Sequence, residues 1–95
     1  MVNHEWSMQQ LRNKAEAYCA TAEHCLFDVR IKLQLWGATA AQTEDILTHL
    51  QDSGFVDEKR YSHAYAHDKL LYHGWGRMKI RAQLLAKQLP KNLIE

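Results

Sequence analysis

Residues 54–89 read GFVDEKRYSHAYAHDKLLYHGWGRMKIRAQLLAKQL, and their order of turn, helix, Gly-aromatic-Gly break and basic helix decides the fold. Asp57 is placed to cap a helix, because a short acceptor side chain satisfies the free amides of a first turn. Tyr61, Ala64, Tyr65 and Tyr72 fall on neighbouring faces of that helix, and Gly74 and Gly76 stop it near His73. A further helix from about Arg77 to Lys87 buries Ile80 and Leu84. Trp75 has glycine on either side, where the backbone is free to take conformations that a side chain hinders. Its large apolar area predicts a packing staple at the start of the basic helix, with stacking on a nucleic-acid base as the alternative.

The chain upstream shows the same grammar. Ser7 caps a first helix to about Glu23, with Leu11, Ala15, Tyr18, Cys19 and Ala22 forming one apolar stripe. A second helix from about Leu26 to Trp36 turns Val29 and Leu33 inward, and Gly37 supplies a left-handed stop. Thr39, with Gln42 three residues on, makes a capping box for a third helix lined by Ile46, Leu47 and Leu50 and ended by Gly54. Pro90 fits the first turn of a sixth helix, since its missing amide proton costs nothing there. No run alternates at strand period and proline occurs once in 95 residues, so the expected fold class is all-α.

An offset of 51 residues sets Val29 on Ile80, Arg30 on Arg81, Leu33 on Leu84 and Gly37 opposite Gln88. An offset of 47 sets Ala17 and Tyr18 on Ala64 and Tyr65. The expected organisation is therefore tandem three-helix repeats, one over residues 1–54 and a second, with its last helix incomplete, over residues 55–95. A three-helix unit has little apolar surface of its own, so stacked units complete each other's cores in an elongated, curved helical array.

Charge divides the same way. Residues 1–54 hold four Lys or Arg against seven Asp or Glu, a net −3, and residues 55–95 hold eight against four, a net +4. Arg77, Lys79, Arg81, Lys87 and Lys91 concentrate this charge around one short helix, where a polyanion or an acidic partner surface would be met. Leu84 and Leu85 are expected to leave an apolar face that invites association. His63 and His67, four apart, lack the third and fourth ligands of a zinc site, and Cys19, His24 and Cys25 have no finger spacing, so no metal or other cofactor is expected. The amino terminus has no signal-like apolar run and no stretch reaches membrane-spanning length; the expectation is a cytoplasmic protein with no membrane partner and with Cys19 and Cys25 as free thiols. No phosphate loop, nucleophile elbow or acid–base pair appears, so the chain reads as a binder and not an enzyme.

The ordered set of Gly54, Phe55, Val56 and Asp57, then Arg60, Tyr61 and Tyr65, then Gly74, Trp75 and Gly76, then Lys79, Ile80 and Leu84 resembles a repeat unit of the RecX family of recombinase regulators. Glu23, His24, Asp28, Val29, Lys32, Leu33 and Gly37 echo it in the first half, and the likeness covers roughly residues 15–95. Asp57, Arg60, Tyr61, Gly74, Trp75 and Gly76 are then its structural motif. The resemblance implies three-helix repeats and a regulator that binds the RecA recombinase filament on single-stranded DNA, restraining strand exchange and coprotease activity. Gln88 departs from the glycine usual in the family, and against the family's three repeats this sequence carries about two, as in a truncated product. A homodimer through the incomplete second repeat is a further expectation. The rival is a direct DNA binder of helix-turn-helix type, against which stand the low net charge and the acidic Glu44, Asp45 and Asp52 of the third helix.

Overall fold

The computed structural model describes residues 6–94. Within them lie α1 (Met8–Thr21), α2 (Leu26–Leu35), α3 (Ala40–Asp52), α4 (Glu58–Tyr72), α5 (Arg77–Ala86) and a 3-10 turn, Lys91–Leu93. The fold is all-α, elongated at 43 × 31 × 21 Å, and arranged as two three-helix-like units. Met1–Glu5 and Glu95 lie outside the described residues.

Caps fix the helix starts. Ser7 and Thr39 each accept the amide of the third residue on while Gln10 and Gln42 reach back to the cap amide, so two otherwise orphaned donors are satisfied at each end. Asp57 accepts the Arg60 amide at 2.9 Å. α1 stops at Thr21, two residues before the expected Glu23, where Ala22 turns fully extended and swings Glu23 away from the helix axis. Pro90 is a cap in extended conformation and not a first-turn residue.

The first unit packs α1, α2 and α3 around Leu11, Ala15, Cys19, Val29, Leu33, Ile46, Leu47 and Leu50, with Val56 closing the base. The second gathers Tyr61, Ile80, Leu84 and Leu89, and borrows Cys25 from the start of α2, with Phe27 packed beside it. The burial of Ile80 and Leu84 by α5 holds, while two expectations fail, an exposed Leu84 beside Leu85 and Ala22 on the apolar stripe of α1. Leu84 is 2 % exposed, because it is the inward knob of α5, and only Leu85 is left outside. Ala22 and Ala64 are exposed. Tyr72 is 76 % exposed, since the last turn of α4 is left uncovered and Leu70 and Leu71 beside it also face water. Ser62 takes a buried place instead, its hydroxyl donating to the Lys59 carbonyl at 2.8 Å.

The 51-residue offset recurs in the backbone. α2 closes with the Ala38 amide on the Leu33 carbonyl and the Gly37 amide on the Gln34 carbonyl, both at 3.0 Å; α5 closes with Leu89 on Leu84 at 3.3 Å and Gln88 on Leu85 at 2.9 Å. These paired bonds require a left-handed residue after the cap. Gly37 takes it at φ 83° and Gln88 at φ 63°, where an L side chain crowds its own carbonyl. Gly76, at φ −79°, needs no such freedom, so of the two glycines flanking Trp75 only Gly74, at φ 67°, uses it.

Gln88→Gly should therefore raise stability by roughly 0.5–1 kcal/mol, the relief of left-handed strain less the entropy glycine adds to the unfolded chain. Urea unfolding at unchanged slope reads this, and a lowered midpoint would contradict the assignment.

Candidate functional site

Residues of the ordered motif converge on the seam between the units. α2 begins at Cys25 with no cap of its own, and the acceptor comes from α4: the Leu26 amide donates to Glu58 Oε1 at 2.8 Å. A carboxylate at a helix amino terminus satisfies an orphaned donor and the local dipole together. Burial raises the Glu58 pKa, with the Leu26 amide pulling it back down and the Asp28 and Asp57 charges pushing the same way as burial. On the other flank Arg60 donates through Nε to Glu23 at 2.6 Å and reaches the carbonyls of Gly54 and Phe55 at 3.2 and 3.4 Å. Asp57 is held below the usual carboxylate range, chiefly by the Arg60 amide.

Lys87 closes the seam from α5. Its Nζ donates to Asp28 Oδ1 at 2.8 Å and lies 5.9 Å from the centre of the Tyr61 ring. Burial works to lower the Lys87 pKa, but the hydrogen bond and charge of Asp28, with help from Tyr61, leave it raised. Burial likewise pushes up the Tyr61 hydroxyl, reinforced by Cys25 and Asp28. The Cys25 thiol is pushed up to about 11, mainly by burial, and Cys19 also to about 11, by burial and then Glu16 and Glu23. Both thiols are free and buried.

The basic residues thus do not act as one group. Lys87 belongs to the seam. Lys79 lies 4.2 Å and Lys69 5.0 Å from the centre of the Trp75 ring, which also meets Tyr65 edge-on at 6.3 Å. Trp75 is half-buried, and its amide is fixed on the Lys69 carbonyl at 2.9 Å, so it packs as a staple. Arg77 and Arg81 flank an open cleft of about 540 Å³ between α4 and α5, with Ala66, His67, Leu70, Ile80 and Ile94 completing its lining. Lys91 is exposed on the terminal turn. Arg77 and Arg81 thus stand at the cleft and Lys79 over Trp75 on the opposite side of α5, where it is joined by Lys69, which sequence reasoning missed. Lys69 comes from α4 and stands beside Asp68, 3.6 Å away; only the folding-back of Trp75 brings it to the basic helix.

His63 and His67 are both exposed, and among the described residues no cluster of three or more His, Cys, Asp or Glu side chains is placed to hold a metal ion. No helix among them is long and apolar enough to cross a membrane.

Two measurements check the seam. Lys87→Ala and Asp28→Ala should each cost about 1–3 kcal/mol, and the double variant should cost clearly less than their sum, because each single change strands a partly buried charge; additive costs would mean the pair is idle. The second is alkaline. A thiol with a raised folded pKa contributes stability that is complete below its ordinary value of 9.0 and is lost as pH rises toward the folded value of about 11, and Lys87 adds a loss above its ordinary 10.5. Stability should be level near pH 7–8 and fall from about pH 9 upward. Cys25→Ala should flatten that slope whatever it does to the stability at neutral pH, and an unchanged slope would remove Cys25 from the account.

Comparison with known proteins fits this layout. A family profile described as RecX, second three-helix domain, matches residues 57–95, which hold α4, α5 and the terminal turn. The regulatory protein RecX of Leptothrix cholodnii is 32 % identical over 80 residues, covering 84 % of this chain and 50 % of that protein, so the chain spans half the length of the curated relative it matches. A crystal structure of a regulatory protein RecX superposes with a TM-score of 0.79 at 21 % identity, covering 92 % of this chain and 45 % of that one, a likeness of fold. The matched profile and the sequence relative, on a fold of the same kind, lead to one assignment: the chain belongs to the RecX family.

Proposed function

We propose that this chain is a cytoplasmic, non-enzymatic regulatory protein that binds the RecA recombinase filament on single-stranded DNA and restrains recombination and coprotease activity. The family carries the identity of the partner. The observation that supports the mode of binding is the division of positive charge: Lys87 and Arg60 serve the seam, while Arg77, Lys79, Arg81 and Lys91 all lie exposed in the second unit. Arginine forks match both phosphate and carboxylate geometry, so such a face suits a filament groove lined by protein acids and DNA phosphates. Occupying that groove hinders subunit motion and the entry of a second strand. A homodimer has no support from the comparisons and is not needed by this mechanism.

The test is binding to recombinase filaments assembled on single-stranded DNA, with naked DNA at the same salt as control. Replacing Arg77, Lys79 and Arg81 together by Glu should abolish filament binding at unchanged helical content, whereas Lys87→Ala should lower stability and leave the affinity of the folded chain within about threefold, since its ammonium is spent inside. Filament binding that survives the triple change would remove the basic face from the mechanism. Equal affinity for naked DNA, falling steeply with salt, would favour direct DNA binding instead.

A further inference from the structure

The seam that joins the two units has an equivalent in the first unit, built at the same positions with the residue types exchanged. At the 51-residue offset α2 (Leu26–Leu35) and α5 (Arg77–Ala86) correspond end to end, and their C-caps, Trp36 and Lys87, correspond as well. At the 47-residue offset that sets Tyr18 on Tyr65, Lys14 of α1 falls on Tyr61 of α4 and the buried Ala15 on the buried Ser62. In the second unit the cap supplies the cation and the helix supplies the ring: Lys87 Nζ lies 5.9 Å from the centre of the Tyr61 ring. In the first unit the helix supplies the cation and the cap supplies the ring: Lys14 Nζ lies 4.6 Å from the centre of the Trp36 ring. The attraction of an ammonium for an aromatic face is the same whichever element carries which group.

The two pairs differ in the third group that joins them. Lys87 donates to Asp28, which belongs to the neighbouring unit. Lys14 is met by Trp6, whose ring centre is 4.3 Å from the ammonium and which lies just ahead of the Ser7 cap. Trp6 and Trp36 are both half-buried against the core of the first unit, so one half-buried ammonium is shared by two indoles, one ahead of α1 and one after α2. We propose that Trp6 is an end cap of the repeat array: it stands against the first unit where the first unit stands against the second, and it closes that face through a shared cation in place of an ion pair. Stacked repeats need their outer faces closed, because the surface that a neighbour covers elsewhere is otherwise left to water. An indole covers apolar surface and presents a negative face to the ammonium, which takes the part of the carboxylate that Lys87 finds across the seam. A hydrophobic residue just ahead of a helix cap ordinarily packs one turn into its own helix. Trp6 reaches farther, to Lys14 and through it to the end of α2. The inference is independent of filament binding, since it concerns how the first unit is closed.

A double-mutant cycle on the full chain tests it. Trp6→Ala and Lys14→Met should each lower the folding equilibrium constant by about three- to tenfold in urea unfolding, and the double variant should lower it by clearly less than the product, because the two residues share one interaction. Lys14→Arg keeps a cation that can lie over an indole and should retain most of the stability. Amide hydrogen exchange reads the reach of the cap. The Trp36 and Gly37 amides, bonded to the Lys32 and Gln34 carbonyls at 3.0 Å, should exchange about fivefold faster or more in Trp6→Ala, measured relative to the Leu26 amide at the seam. Losses that multiply, or exchange at the end of α2 that changes no more than that of Leu26, would overturn the proposal and leave Trp6 as a local staple of α1. Equal losses for Lys14→Arg and Lys14→Met would also overturn it, because the cation would then have no part in the closure. These measurements contain neither recombinase nor DNA, so their outcome is separate from that of the filament experiment.

Discussion

The start of α2 is the constraint on which the rest of the structure depends. A helix leaves its first amides without partners, and α2 begins at a cysteine that cannot cap it. The missing acceptor is Glu58, 32 residues downstream in another helix. Once that bond forms, the first turn of α2 is pinned against α4, Cys25 is carried into the core of the second unit, and Asp28 is brought to Lys87. Neither half buries much apolar surface alone, and small units of this size gain stability from their neighbours. The seam is therefore where two marginal cores become one stable body.

The same seam sorts the charges. Asp28 and Glu58 are held partly buried by Lys87 and the Leu26 amide, and Glu23 is paired with Arg60 at the surface. Asp28, Glu58 and Lys87 thereby contribute less to the field seen from outside. Arg77, Lys79, Arg81 and Lys91 are left exposed in the second unit, whose residues 55–95 carry net positive charge. The near-zero total of +1 thus describes the external potential poorly, because the compensating acids lie on the first unit. Coulombic attraction to a polyanion acts over about a Debye length, roughly 8–10 Å at physiological salt, so the local face decides the encounter.

What could be read from the sequence is local. Ser7, Thr39 and Asp57 act within four residues of their own positions, and the left-handed closure at Gly37 follows from the glycine itself, whereas Gln88 takes the same conformation with no such signal. Val29, Leu33, Ile80 and Leu84 obey a helical period that needs no knowledge of the partner helix. What could not be read is long-range. Lys87 looks like its basic neighbours until Asp28, 59 residues away, is placed beside it. Tyr72 shares a stripe with Tyr61 and Tyr65, yet nothing covers the last turn of α4, and periodicity carries no information about where a neighbouring helix ends. Lys69 and Lys79 meet over Trp75 only because Gly74 turns the chain back.

The two units close the same helix pair in different ways. In the first unit Arg30 is spent on Glu44 and the apolar surface of α1 and α2 lies under α3, so that half is a finished core. In the second unit the equivalent helix pair has its inward side satisfied by the seam, by Ile80, Leu84 and Leu89 against Tyr61 and Cys25, and its other side borders the cleft. Lys87 and Leu84 thus tie α5 to the seam, with Arg77 and Arg81 beside them at the cleft. Because Arg77 is exposed while Leu84 and Lys87 hold the seam, a change at Arg77 need not disturb the core.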